Sequence, residues 1–265
     1  MHWRRTRHRH HHRTDLRITA TDHFSGHAAD YAKARPGYPV ELFAWLAQQC
    51  PTRHLAWDCG TGNGQAAQAL AEHFQRVHAT DLSAEQVAQA KPHPRIDYRV
   101  APAETSGLQD HSCDLVAVAQ ALHWFCNERF YAEVRRVLKP GGLFAAWTYT
   151  LLRGEPELNA IIEDFYTSVV GPYWPPERRW VDLGYRDMPF PCANIVAPQF
   201  EIRVELTLTS LLAYVRTWSA TQRCIRETGA DPCTALGERL KELWLQPENR
   251  KTIVWPIALR CGRLE

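Results

Sequence analysis

The segment Leu55-Ala56-Trp57-Asp58-Cys59-Gly60-Thr61-Gly62-Asn63-Gly64 runs from a short apolar stretch through an acid into three glycines at alternate positions. Directly after it, Ala66, Ala67, Leu70, Ala71 and Phe74 recur at helical spacing. The pattern predicts a strand, a glycine turn and a helix in succession. Such a turn leaves backbone N–H groups open at the start of a helix, where an anionic or polar ligand is favoured. Glycine lets the backbone turn tightly and approach that ligand closely. A second apolar run, Val77-His78-Ala79-Thr80, ends at Asp81. An acid about twenty residues beyond a glycine turn is expected at the end of the neighbouring strand, in reach of a ribose diol. The dinucleotide fingerprint G-x-G-x-x-G would place its last glycine on Gln65, whereas the chain reads D-x-G-x-G-x-G.

Outward from this segment the alternation of strand and helix continues. A helix is predicted over 36–50, entered after Pro36 and Pro39, with Val40, Leu42, Phe43 and Leu46 on its buried side. Strands are predicted over 55–58, 76–80, 96–100, 113–119 and 143–148, with helices over 64–74 and 127–138. A further helix opens at the capping-box pattern Ser83-Ala84-Glu85-Gln86 and stops before Pro92. Arg135, Arg136 and Lys139 lie near the end of the 127–138 helix, where its dipole favours cations, and Pro140-Gly141-Gly142 turns the chain into the next strand. The nearly unbroken apolar run at 113–119 suits a strand covered on both faces. Together these elements predict an α/β fold, a Rossmann-like, doubly wound, mostly parallel sheet with helices on both faces. Ligands of such sheets lie at the carboxyl ends of the strands, where Asp58, Asp81, the 101–104 turn and Gln120 all fall.

Residues 150–199 break this rhythm with Pro172, Pro175, Pro176, Pro189, Pro191 and Pro198, and with Trp174 and Trp180. They read as a loop-rich insertion or a substrate-covering subdomain. Beyond them, Phe200–Leu208 alternates like a strand, 211–223 and 234–245 look helical, and Ile253–Cys261 reads as a final strand, so the sheet is expected to be seven-stranded. Pro256 predicts an edge position or a bulge for that last strand. The expected organisation is a tail over 1–20, a ligand-binding core with an N-terminal lid over 21–149, the insertion over 150–199, and 200–265 completing the sheet.

Residues 55–64 and 81 resemble the cofactor motifs of class I S-adenosylmethionine (SAM)-dependent methyltransferases of the methyltransferase type 11 kind. The resemblance extends over 22–149. Ala103-Glu104 follows the run Ile96–Val100, the stretch 114–124 resembles the fourth strand and its loop, and 137–144 matches the helix–turn–strand signature before the fifth. Asp22-His23-Phe24-Ser25-Gly26 and the stretch 31–39 are similar to the trans-aconitate-methyltransferase-like branch. The resemblance implies SAM as cofactor and an antiparallel pairing of the last two strands. It implies that the turn with Gly60, Thr61 and Gly62 carries the amino acid part of the cofactor and that Asp58 positions its ammonium. Asp81 would take both ribose hydroxyls, with Leu82 on the adenine, Ala103 and Glu104 bordering that ring, and Gln120 and Ala121 behind the methionyl arm. Tyr31, Arg35 and Tyr38 would belong to a lid over the cofactor.

Each role has a plainer competitor. Asp58 could cap the glycine turn, and Glu104 could be a solvated strand-end charge. His123 is a candidate general base, its ordinary pKa lying near working pH, or a structural member of its loop. Arg35 could grip a carboxylate through two parallel hydrogen bonds or sit on the surface. Tyr38, Trp124, Trp147 and Trp174 are candidates for the walls of a substrate pocket, although most tryptophans are core. The expected activity is methyl transfer to a small molecule, with an organic carboxylate favoured on the trans-aconitate similarity and Arg35. The competing functions are a non-catalytic SAM-binding sensor or scaffold, and a methyltransferase acting on RNA or protein. Fold and cofactor do not fix the substrate.

The bulk properties fit this reading. The 265 residues suffice for one large domain, the 45% hydrophobic fraction for a sizeable core, and the net charge of +2 calls for no nucleic acid. Apart from the first thirteen residues, with His8, His10, His11, His12 and five arginines, no basic stripe with interleaved aromatics is present. No run of about 18 apolar residues marks a membrane span. The eight cysteines are scattered, without a C-x-x-C pair or zinc-type spacing, and so read as free thiols of a metal-free cytoplasmic protein.

Overall fold

The computed structural model describes residues 37–264, so the 1–20 tail, Tyr31 and Arg35 lie outside the described residues. Eight strands form one sheet: β1 (Leu55–Cys59), β2 (Arg76–Asp81), β3 (Ile96–Val100), β4 (Cys113–Ala119), β5 (Leu138–Tyr149), β6 (Ala193–Asn194), β7 (Phe200–Leu206) and β8 (Lys251–Arg263). Their order is β3-β2-β1-β4-β5-β8, with β6 and β7 both on the far side of β8. The first five are parallel, and β8 runs antiparallel to β5 and to β7. The strand order reverses between β1 and β4, which opens a crevice at their carboxyl ends.

The helices are α1 (Val40–Gln49), α2 (Gln65–Ala71), α3 (Ala84–Ala88), α4 (Leu122–Phe125), α5 (Glu128–Val137), α6 (Pro156–Asp164), α7 (Arg178–Asp182), α8 (Leu208–Arg216), α9 (Ser219–Thr228) and α10 (Cys233–Trp244). Period-two alternation in β4 sends Leu115 and Ala117 to a core with α1 and α2, and Val116 and Val118 to a core with α5. A third core joins β7 and the start of β8 to α6, α8 and α10 around Leu158, Ile202, Leu211, Leu240 and Trp255. Opposite the crevice, the buried Asp114 carboxylate fastens three segments together. It accepts from Thr52 Oγ1, from the amides of His54 (2.7 Å) and Leu55 (2.9 Å), and from Lys139 Nζ (2.7 Å).

Five details differ from the sequence-based expectations. Val40, expected on the buried side of α1, is its first residue and is exposed, while Leu42, Phe43 and Leu46 are buried as expected. The two-residue β6 adds an eighth strand. Strand β5 begins at Leu138 rather than 143, because the Pro140-Gly141-Gly142 stretch forms an irregular extension of the strand rather than a separate turn. The helix expected over 211–223 is two helices, broken where Trp218 takes an extended conformation. Pro256 lies in an interior strand, neither at the sheet edge nor in a bulge. Its carbonyl accepts from Thr150 N–H (3.0 Å) just where β5 ends, so its missing N–H omits a single bond at the margin of the ladder.

Candidate functional site

The turn after β1 is held by the end of β2. Gly60 and Thr61 both donate their N–H to Thr80 O (2.8 and 2.9 Å), and Gly62 N–H donates to Asp81 Oδ2 (2.8 Å). The other Asp81 oxygen accepts from Ser83 N–H (2.9 Å). Gly60 has φ +72°, and a Cβ there would lie 2.6 Å from the Ala121 Cβ. Gly64 has φ +88°, and a Cβ there would overlap the Tyr98 hydroxyl. Glycine at these two places therefore serves both the turn and its close approach to the loop after β4 and to β3.

Asp58 is fully buried at the end of β1. Its Oδ2 accepts from Thr61 Oγ1 (2.6 Å), whereas Oδ1 has no hydrogen-bond partner among the described residues. Burial pushes its carboxyl pKa up to about 7; the Thr61 bond opposes the shift and the nearby Asp81 charge adds to it. A buried carboxylate oxygen lacking a donor among the described residues fits the ammonium of an amino acid ligand. The amides of Gly60, Thr61, Gly62 and Gly64, by contrast, are taken by oxygens of Thr80, Asp81 and Thr61 and do not stand open as the sequence pattern predicts. Next to Asp81, Leu82 is 49% exposed and offers an apolar surface where an adenine would lie.

The 101–104 turn is anchored from α5. Asn127 caps that helix by accepting from Phe130 N–H (3.0 Å) and donates its amide to Glu104 Oε1 (2.8 Å). Glu133 accepts from Ser106 N–H (2.8 Å) and Oγ (2.6 Å) and from both prongs of Arg136 (2.8 and 2.7 Å). Burial alone would raise the Glu133 pKa, but the Arg136 and Ser106 bonds outweigh it and hold the carboxyl below its ordinary range. Ala103 packs partly buried against the same face.

After β4 the chain passes through Gln120, whose φ is +57°, and Ala121 into α4, which carries His123 and Trp124. Gln120 N–H donates to Trp147 O (2.9 Å), and its side-chain oxygen accepts from Thr148 Oγ1. His123 Nδ1 lies 2.9 Å from the hydroxyl of Tyr185, a fully buried residue with φ +61°. The Trp124 ring is 4.7 Å from that of His123.

The structure thus brings Asp58, Gly60, Thr61, Gly62, Asp81 and Leu82 together, with Ala121 against them at Gly60 and Gln120, His123 and Trp124 adjoining Ala121 along the chain. The other pocket candidates lie elsewhere. Trp147 has no exposed surface and packs edge-on to Tyr38 (5.8 Å) and Phe43 (5.9 Å) inside the core with α1. Trp174 sits in the C-terminal core against Tyr166 (5.0 Å) and Trp218 (5.9 Å), beneath the Arg178 guanidinium. Sequence reasoning missed Thr148 and Tyr185. Thr148 hides in an apolar strand, and Tyr185 lies 62 residues from the histidine it meets, with only the preceding Gly184 to mark a turn.

Comparison with known proteins adds an independent line. A family model described as a methyltransferase domain matches residues 57–146. A Dictyostelium discoideum protein described as a methyltransferase is 30% identical over 251 residues, covering 92% of this chain and 95% of that one. A methyltransferase-like protein of Schizosaccharomyces pombe is 35% identical over 132 residues, 48% of this chain and 50% of the other. A solved structure from Anaeromyxobacter dehalogenans, described as a type II methyltransferase, shares 47% identity with a TM-score of 0.83. That match covers 86% of this chain and 97% of the other.

Proposed function

Because the chain belongs to the class I SAM-dependent methyltransferases, we propose that it methylates a small-molecule acceptor held beside His123 and covered by the 150–199 segment. When bound, SAM supplies an electrophilic methyl on a sulfonium, which leaves binding, alignment and exclusion of water to the protein. Asp58 Oδ1 receives the ammonium of the cofactor, and the 60–64 turn cradles its amino acid part. Asp81, which also accepts from the Gly62 and Ser83 amides, receives the ribose hydroxyls. Leu82, Ala103 and Glu104 border the adenine, and Gln120 and Ala121 back the methionyl arm. The observation that carries this reading is the buried Asp58 oxygen without a donor among the described residues, beside Gly60 and Gly64, whose Cβ positions are closed.

The reach of Tyr185 to His123 supports a covering role for 150–199. A carboxylate acceptor and the trans-aconitate-like branch rest on Arg35 and its neighbours, outside the described residues. Trp124 and Tyr185, which meet the His123 ring, are both uncharged. No helix among the described residues is long and apolar enough to cross a membrane. The unpaired state of all eight cysteines supports a cytoplasmic location.

Calorimetric titration of S-adenosylhomocysteine tests the site. The parent protein is expected to bind at micromolar concentration or tighter, and Asp81→Ala to lose about 1–3 kcal/mol, the scale of hydrogen bonds to a charged group. Unchanged affinity in a folded variant overturns the ribose assignment. Binding without production of S-adenosylhomocysteine from SAM in the presence of any acceptor would favour a sensor over an enzyme.

A further inference from the structure

Strand β3 bounds one side of the sheet and pairs only with β2, in parallel, Val77 lying opposite Ile96 and Asp81 opposite Val100. Val77 N–H donates to Arg95 O (2.8 Å) and Ala101 N–H to Asp81 O (2.9 Å), which fixes the phase of this ladder. Arg95, Asp97, Arg99 and Ala101 direct their backbone groups to β2, so the alternate residues Ile96, Tyr98 and Val100 direct theirs outward. Ile96 N–H is taken by His93 O (3.1 Å). The Ile96 carbonyl and both backbone groups of Tyr98 and Val100 meet no backbone partner among the described residues.

Charged side chains ordinarily guard such an edge by repelling a second strand. Those of β3 do the reverse once a copy is turned through a two-fold axis. Asp97 and Arg99 project from one face of the strand, with Arg99 Nε 2.9 Å from Asp97 Oδ1. In an antiparallel pair centred on Tyr98, Asp97 stands opposite Arg99 of the second copy, and Arg99 opposite its Asp97. These are the non-hydrogen-bonded positions, where facing side chains come closest. The two Tyr98 residues exchange their N–H···O bonds across the axis, and each Val100 N–H meets the Ile96 carbonyl of the other copy. The same pairing sets Val100, 55% exposed in the single chain, beside an Ile96 side chain. An axis one residue to either side would put Asp97 or Arg99 against its own copy.

We propose that β3 is a self-association edge, through which two copies of this chain join antiparallel over Ile96–Val100 about a two-fold axis at Tyr98. The eight-stranded sheets become one continuous sheet. The contact is isologous, so it closes as a dimer and leaves no open edge on that side. It stands apart from the reading of the cofactor site.

Sedimentation equilibrium of the whole chain over about a hundredfold range of concentration reads the association. The weight-average mass of the parent should climb from the monomer value toward twice that value. Arg99→Asp sets like charges opposite each other at both positions and should weaken the association by about tenfold or more. The Arg99 side chain is 65% exposed, so the fold itself is not at stake. Asp97→Arg combined with Arg99→Asp inverts both members, restores the opposite pairs and should bring the dimer back. General damage to the strand would not be repaired by a second substitution. Amide hydrogen exchange gives a second readout: Tyr98 and Val100 should exchange more slowly as the parent is concentrated, and should not do so in Arg99→Asp. A parent that stays monomeric throughout, a dimer unmoved by Arg99→Asp, or a double variant no more associated than the single one each overturns the proposal.

Discussion

Asp58 is fully buried with one oxygen on Thr61 and the other without a full hydrogen bond among the described residues, so burial outweighs the Thr61 and Ala67 contributions and its charge is poorly solvated. Its pKa lies near 7 against an ordinary value of 3.8. Between those values the folded chain keeps a proton that the unfolded chain releases. The resulting stability is fully present below about pH 4 and is lost as pH rises through 7. Asp58→Asn should therefore unfold at a higher temperature than the parent at pH 8. The gap, on the order of a few kcal/mol, should vanish toward pH 4. A lower melting temperature for the variant at pH 8 would contradict the poor solvation of this charge. Ligand binding should show the opposite sign, because a cofactor ammonium needs the ionised carboxylate. S-adenosylhomocysteine affinity of the parent should fall as pH drops below 7, by up to about tenfold per pH unit. Affinity that stays flat from pH 6 to 8 would remove Asp58 from the ammonium site.

Strands and helices place these residues by contacts between elements, and two of those contacts can be broken singly. Gly60→Ala would drive a Cβ into Ala121 while forcing an L-residue to φ +72°. About 1–2 kcal/mol for the backbone and about 1–3 kcal/mol for overpacking predict a clear loss of stability. Urea unfolding would measure that loss, and the shifted turn should weaken S-adenosylhomocysteine binding in parallel. Glu133→Gln would remove the charge that fastens Ser106 to α5. Both a lower urea midpoint and a weaker cofactor affinity are expected, since Ala103 and Glu104 sit two or three residues before that anchor. Retention of both would make Glu133 a bystander. The local devices were legible in sequence because their grammar is local. Ser83 caps α3 by accepting from Gln86 N–H, and Asn127 bounds a helix at the place that the apolar spacing predicted. Pro256 misled because a missing N–H matters only on the side where a partner strand still runs, and β5 ends there. The Trp218 break could not be read from helical periodicity, since the residues on either side remain amphipathic.

At the scale of the whole molecule, the doubly wound core was readable because β1, β4 and most of β5 are apolar runs and the loops between strands and helices carry their own turn residues. The acceptor side was not, since Tyr185 reaches His123 and Trp174 reaches Trp218 only through tertiary folding. The same sheet separates function from stability along the strand direction. Its carboxyl ends carry Asp58, Asp81 and Gln120, while its opposite margin is pinned by Asp114. Burial would raise the Asp114 pKa, but Lys139, Thr52 and the amides of Leu55 and His54 outweigh it and hold the carboxyl below its ordinary range. A depressed carboxyl contributes stability that is present above about pH 4 and lost as pH falls through the folded value. Lys139→Met keeps the length of the side chain but leaves the Asp114 charge, 2% exposed, without its cation. Breaking such a pair from one side is expected to cost about 3 kcal/mol at pH 7, read from urea unfolding. The acid-unfolding midpoint should move to higher pH, because the carboxyl now protonates sooner. The affinity for S-adenosylhomocysteine at pH 7 should stay within about twofold of the parent, the change lying at the far end of β4 from Gln120. A variant that keeps its stability would show that the Thr52 and backbone bonds hold Asp114 alone. One that loses cofactor affinity while still folded would show that the two margins of the sheet are coupled.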